Sequence, residues 1–102
     1  MPLFVISWMD RPDGLETRLA TRAAHLAHVA RHVKQVRLGG PFIDAEGRMI
    51  GSMIVFEAED LAAAEAFHAA DPYRLAGLFV RSEVRPWRAT VGGLAPLGST
   101  GS

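Results

Sequence analysis

The chain has 102 residues, 49% of them apolar, with eleven basic and eleven acidic side chains and no cysteine. That is one domain's length with enough apolar mass for a core, and its zero formal charge supplies no field to hold nucleic acid or an anionic membrane. Without cysteine there is no disulfide framework, thiolate metal site or cysteine nucleophile, which fits a reducing, cytoplasmic setting.

Pro2 to Met9 is apolar on both parities and rich in β-formers, which predicts a central strand covered on both faces. Its apolar run is about seven residues, too short for a signal core and far short of the ~20 that span a bilayer. Asp10 to Gly14 breaks the pattern, with Asp13 placed to cap a helix. From Leu15 to about Val33 the period is helical. Leu15, Leu19, Ala23, Leu26, Ala30 and Val33 form one apolar stripe, expected to face the core with Leu26 near its middle. Arg18, Arg22, His25 and Val29 lie along one flank of that stripe.

Gln35 to Leu38 is extended, Gly39-Gly40-Pro41 interrupts it, and Phe42 to Asp44 continues toward a hairpin turn at Ala45 to Arg48. Met49 to Phe56 is the second apolar strand, with Gly51-Ser52 inside it as a bulge or a close approach. Asp60 is placed to cap a second, alanine-rich helix from Leu61 to Ala70, with Leu61, Ala64 and Phe67 on its buried face. Asp71-Pro72 ends that helix, and Tyr73 to Gly77 makes a short turn. In Leu78 to Trp87, Leu78, Val80 and Val84 alternate with Phe79, Arg81, Glu83, Arg85 and Trp87. Residues 1–90 read as the domain and 91–102 as a loose tail.

The order β-α-β-β-α-β predicts an α+β, ferredoxin-like fold: a four-stranded antiparallel sheet with two helices on one face. The other face, carrying half of the two apolar strands plus Phe79 and Trp87, is too apolar for a lone chain. A homodimer joined through that open face is expected.

Two short stretches carry chemistry. Arg22 and His25 sit three apart on the first helix, and Asp71-Pro72-Tyr73 comes directly after the second. A carboxylate bonded to one imidazole nitrogen fixes the tautomer and frees the other as a base; the bland alternative is a structural pair. Arg22 suits a substrate carboxylate, or else an ion pair with Asp71 or a solvated flank. Tyr73 and Ser52 offer hydroxyls. His28 and His32 are four apart, as in zinc-binding helices, but this phasing turns them toward solvent and no acidic residue is well spaced. No metal site and no cofactor are expected, and no phosphate-binding loop occurs.

At Arg22-Ala23-Ala24-His25-Leu26, Gly39-Gly40-Pro41, Gly51-Ser52, Asp71-Pro72-Tyr73 and Val84-Arg85-Pro86-Trp87, the sequence resembles the YCII-related (YciI-like) family, over about residues 3 to 89. The resemblance implies a dimeric α/β barrel of ferredoxin-like halves, similar to muconolactone isomerases and small antibiotic-biosynthesis monooxygenases. It implies an active site at His25 and Asp71. With it, Arg22, Gly40, Pro41, Ser52 and Tyr73 are the expected substrate contacts. The expected function is a small cofactor-free lyase or isomerase moving a proton or expelling a leaving group on a small, aromatic-derived carboxylate or lactone. The alternative is a non-catalytic dimeric module that binds a small ligand or another protein.

Overall fold

A computed structural model describes residues 1–92; most of the expected tail lies outside the described residues. The elements are β1 (Leu3–Asp10), α1 (Leu15–Ala30), β2 (Val36–Ile43), β3 (Met49–Glu57), α2 (Leu61–Ala69), a single-turn α3 (Pro72–Leu75) and β4 (Phe79–Trp87). The strands form one antiparallel sheet in the order β2-β3-β1-β4. This is the ferredoxin-like α+β fold. No helix among the described residues is long and apolar enough to cross a membrane.

The sheet buries what period-two alternation puts on its helix side. Phe4 lies opposite Phe56, Ile6 between Ile54 and Val84, and Trp8 between Ser52 and Ser82. Phe4, Ile6, Trp8, Ile54 and Phe56 join Ala64 and Phe67 of α2 in the core. The open side carries Leu3, Val5, Met53 and Val55 beside Arg81, Glu83 and Arg85, with Trp87 opposite Leu3.

Local signals act as residue chemistry requires. Asp60 caps α2, accepting from the Ala63 N–H at 2.9 Å. In the hairpin, Asp44 accepts from the Glu46 and Arg48 N–H groups, both at 2.9 Å, and Gly47 takes φ +81°. Gly51 is a close approach between strands: a Cβ there would sit 2.3 Å from the Trp8 carbonyl oxygen.

Several expectations are corrected. α1 ends at Ala30, and its cap is Gly14, a position where a Cβ would lie 2.8 Å from Leu78. Asp13 is left in solvent. The larger correction is the roll of α1. Leu19, Leu26 and Val33 are 54%, 50% and 69% exposed, whereas Arg18 and His28 are each 3% exposed. Residues 18, 21, 25, 28 and 32, three or four apart, face the sheet instead, about a third of a turn from the apolar stripe. The helix can bury this face because its polar atoms find partners. His28, expected at the surface, donates from Nε2 to the Phe67 carbonyl at 2.9 Å.

β2 runs unbroken through Gly39-Gly40-Pro41. As an edge strand it needs hydrogen bonds on one side only, so a proline without N–H is accommodated. At the other edge, the register slips between Met9 and Asp10, and Asp10 pairs with Phe79. Phe79 therefore turns to the helix side, stacking on Trp8 with centroids 4.6 Å apart, while Val80 turns to solvent. Leu61, expected on the buried face, is exposed, and His68 is buried in its stead beside Ala64 and Phe67.

The roll of α1 sets a clear order of stabilities. Phe67→Ala should cost roughly 3–5 kcal/mol by opening a core cavity, and Leu26→Ala under about 1 kcal/mol because half of Leu26 is already in water. Thermal melts of both variants beside the parent check this. Equal losses would mean that Leu26, and not the polar stripe, faces the sheet.

Candidate functional site

The sheet-facing side of α1 brings its charged and titratable groups against the ends of β1 and β3. Arg18 grips Asp10 with two bonds, Nε to Oδ2 at 2.7 Å and Nη2 to Oδ1 at 3.1 Å. Nη2 also donates to the Gly51 carbonyl and to Ser52 Oγ, both at 3.0 Å. The pair is almost fully shielded, with 4% exposure on each side chain. Such a pair is tolerated inside because its hydrogen-bonding capacity is met.

Two turns along, His25 Nδ1 lies 2.9 Å and 3.1 Å from the two carboxylate oxygens of Asp71. Asp71 is fully buried and serves a second purpose: Oδ1 accepts from the Tyr73 N–H at 2.9 Å and caps α3. Pro72 in the first turn of α3 supplies a fixed φ and has no N–H to satisfy there. This places Tyr73 so that its ring stacks on His25, centroids 4.1 Å apart and 17° between planes. The Arg18 guanidinium carbon lies 5.0 Å from the centroid of the same ring. Trp8 meets His25 edge-on at 6.2 Å. The imidazole is thus fixed by a carboxylate, a stacked phenol and an indole edge. With Nδ1–H donated to Asp71, Nε2 of the neutral ring carries the free lone pair.

These groups border a cavity of about 310 Å³ between α1, β2, β3 and α3. Arg22, His25, Gly40, Pro41, Ser52 and Tyr73 all line it; Asp71 lies behind His25, outside the lining. Leu26, Val29, Val36, Met49 and Ile54 give it an apolar side. Arg22 is exposed and makes no ion pair among the described residues, Asp71 being engaged by His25. Burial raises the Tyr73 phenol, against the opposing charges of Arg18 and Arg22, so it is protonated at neutral pH and has a proton to offer a ligand. No group of three metal-ligating side chains occurs among the described residues.

Sequence reasoning placed Arg18 on the right flank of α1 but gave it no role, and it missed Asp10 and Trp8. A usable signal was the lone acidic residue ending β1, eight positions before an arginine one turn into α1.

His68 lies under this site. It is 4% exposed, stacks on Trp8 and Phe79, and neither ring nitrogen has a partner. Burial lowers the His68 pKa, helped by Arg74 and opposed by Asp71. Burial likewise lowers that of His28 against its bond to Phe67 and the charge of Asp71, with His32 and Arg31 reinforcing the fall.

Three comparisons bear on this arrangement. The YCII-related domain model matches residues 2–88. Protein YciI of Escherichia coli O6:H1 (strain CFT073) is 36% identical over 94 residues, 84% of this chain and 96% of that protein. Among solved structures, the 5-chloro-2-hydroxyhydroquinone dehydrochlorinase of Burkholderia phenoliruptrix AC1100, in complex with 2,5-dihydroxybenzoquinone, superposes with a TM-score of 0.82. It is 34% identical, over 86% of this chain and 95% of that one. A NIPSNAP family protein of Agrobacterium tumefaciens str. C58 shares the fold, with a TM-score of 0.56 at 16% identity over 86% and 91% of the two chains.

The two buried histidines set the sign of the pH dependence. Above the ordinary histidine value of 6.5 both states are neutral and stability is full. As pH falls below 6.5 the unfolded chain takes up protons that the folded one refuses, so stability falls. The melting temperature should drop between pH 7 and 5. His68→Leu, which removes two unpartnered nitrogens, should flatten that drop and gain on the order of 1 kcal/mol. A steeper drop in His68→Leu would contradict the assignment.

Proposed function

The chain belongs to the YCII-related family, and from that premise we propose that it is a small acid–base enzyme of lyase or isomerase type. The observation that carries the reading is the His25–Asp71 hydrogen bond, which leaves Nε2 as the free nitrogen of a ring lining the cavity. In this reading His25 Nε2 removes a proton from a small substrate, and Asp71 holds the ring and stabilises the imidazolium that results. Arg22, unpaired at the cavity, draws in a carboxylate or phenolate. The apolar side accepts the ring or lactone body, beside Gly40 and Pro41.

The likeness to a dehydrochlorinase supports an elimination. A proton leaves to His25, a halide departs with the C–Cl bonding pair, and the net change is loss of HCl. A hydroxylated chloroaromatic or a lactone is the substrate class. The chemistry uses no cofactor, and the compartment is the cytoplasm.

The working unit is a homodimer joined through the open sheet face. Leu3, Val5, Met53 and Trp87 lie there without helix cover, around the charges of Arg81, Glu83 and Arg85. A second reading, a non-catalytic interaction module, draws on one observation: the exposed flank formed by Leu15, Leu19, Leu26 and Val33.

Chloride release and ultraviolet absorbance with chlorinated hydroquinols and lactones test the enzyme reading. Turnover should fall on the order of 10²–10⁴-fold in His25→Ala, with circular dichroism unchanged. Asp71→Asn should lose activity and also stability, since it disturbs the α3 cap. An active His25→Ala protein would remove the base assignment. Light scattering at micromolar concentration should give twice the chain mass; a monomer would overturn the dimer.

A further inference from the structure

We infer that Arg18 and Ser52 form a charge-assisted donor that holds an anionic oxygen of the ligand, the phenolate or enolate oxygen left when His25 takes a proton. This rests on the acid–base reading of the same cavity and assigns the group that receives the charge.

Ser52 faces the helix layer, opposite Trp8 on one side and Pro41 on the other. It is 6% exposed, yet it lines the cavity. The only hydrogen bond its Oγ makes among the described residues is the one it accepts from Arg18 Nη2, at 3.0 Å. A hydroxyl has one proton to give. With its oxygen engaged by a guanidinium, that proton is directed to an acceptor, and the cavity is where one can sit. Polarisation by the cation strengthens the donor. The same bond argues against Ser52 as a nucleophile, since a cationic donor at Oγ cannot take up the hydroxyl proton.

Arg18 acts through Ser52 as a positioning residue. Its bonds to Asp10 and the Gly51 carbonyl fix the guanidinium fork, so the Ser52 oxygen is held without reorganisation. Arg22 differs in kind: it is exposed and its charge is screened by water. A shielded, preorganised donor is worth more to a developing charge than a mobile cation in water. The step balances simply. The ligand's proton goes to His25 Nε2, the electron pair stays on the ligand oxygen, and Ser52 keeps its own O–H bond while donating to it.

The test uses 4-nitrophenol, a monocyclic phenol whose visible band reports ionisation. Bound to the full chain, it should ionise about one pH unit below the free probe, a tenfold shift in its equilibrium. Ser52→Ala should abolish most of that shift and Ser52→Cys, with a weak S–H donor, should retain part of it. Arg18→Lys should lose it in proportion to the broken fork, and His25→Ala should keep it. A parent protein that fails to bind the probe, or binds it without a shift, overturns the inference. So does a folded Ser52→Ala variant with the full shift, and in that case the acid–base reading stands. If the shift depends on Ser52 while His25→Ala stays fully active, the acid–base reading fails and the donor pair stands.

Discussion

The structure depends on which face of α1 meets the sheet, and the Arg18–Asp10 ion pair decides it. The leucines of the opposite flank compete for that position. Leu15, Leu19 and Leu26 are 40%, 54% and 50% exposed, so full burial would add roughly 1 kcal/mol apiece. Rolling the helix to achieve it would strand a buried carboxylate, at roughly 3–5 kcal/mol. It would also break His25 from Asp71 and His28 from the Phe67 carbonyl. The polar face wins because three separate partners wait for it on β1, α2 and the start of α3.

That choice also makes the site. With the polar stripe inward, His25 and Arg18 both come to lie against the Tyr73 ring, and Asp71 serves as acceptor and cap together. His25, Asp71 and Arg18 are therefore held by the same packing that holds the helix. Flexible loops contribute little: the cavity wall opposite α1 is β2 and β3, a hairpin whose turn is pinned by Asp44. Rigid elements of this kind suit chemistry that depends on placing groups within tenths of an ångström.

The element order, the hairpin and the Asp60 cap are legible in the sequence because each rests on local chemistry. Arg22, His25, Gly40, Pro41, Ser52 and Tyr73, which come from the short motifs that carry the resemblance, all line one cavity. The roll of α1 is not legible from hydrophobic periodicity, which counts arginine and histidine as surface residues and cannot see Asp10 waiting at the end of β1. Phe79 is misplaced for a different reason: a one-residue slip opposite Asp10 reverses the side on which it points. Gly14 takes the cap in place of Asp13, at a position where Leu78, sixty-four positions on, leaves no room for a Cβ, which no local rule contains.

The central claim is that α1 presents its polar face inward so that His25 gives Nδ1–H to Asp71 and keeps Nε2 free. Long-range nitrogen-15 correlation spectra of the histidine rings, recorded at mildly alkaline pH, read this directly. The account predicts a protonated Nδ1 and an unprotonated Nε2 for His25, with that preference lost in Asp71→Asn. A His25 ring protonated at Nε2, or one indifferent to Asp71, would contradict it.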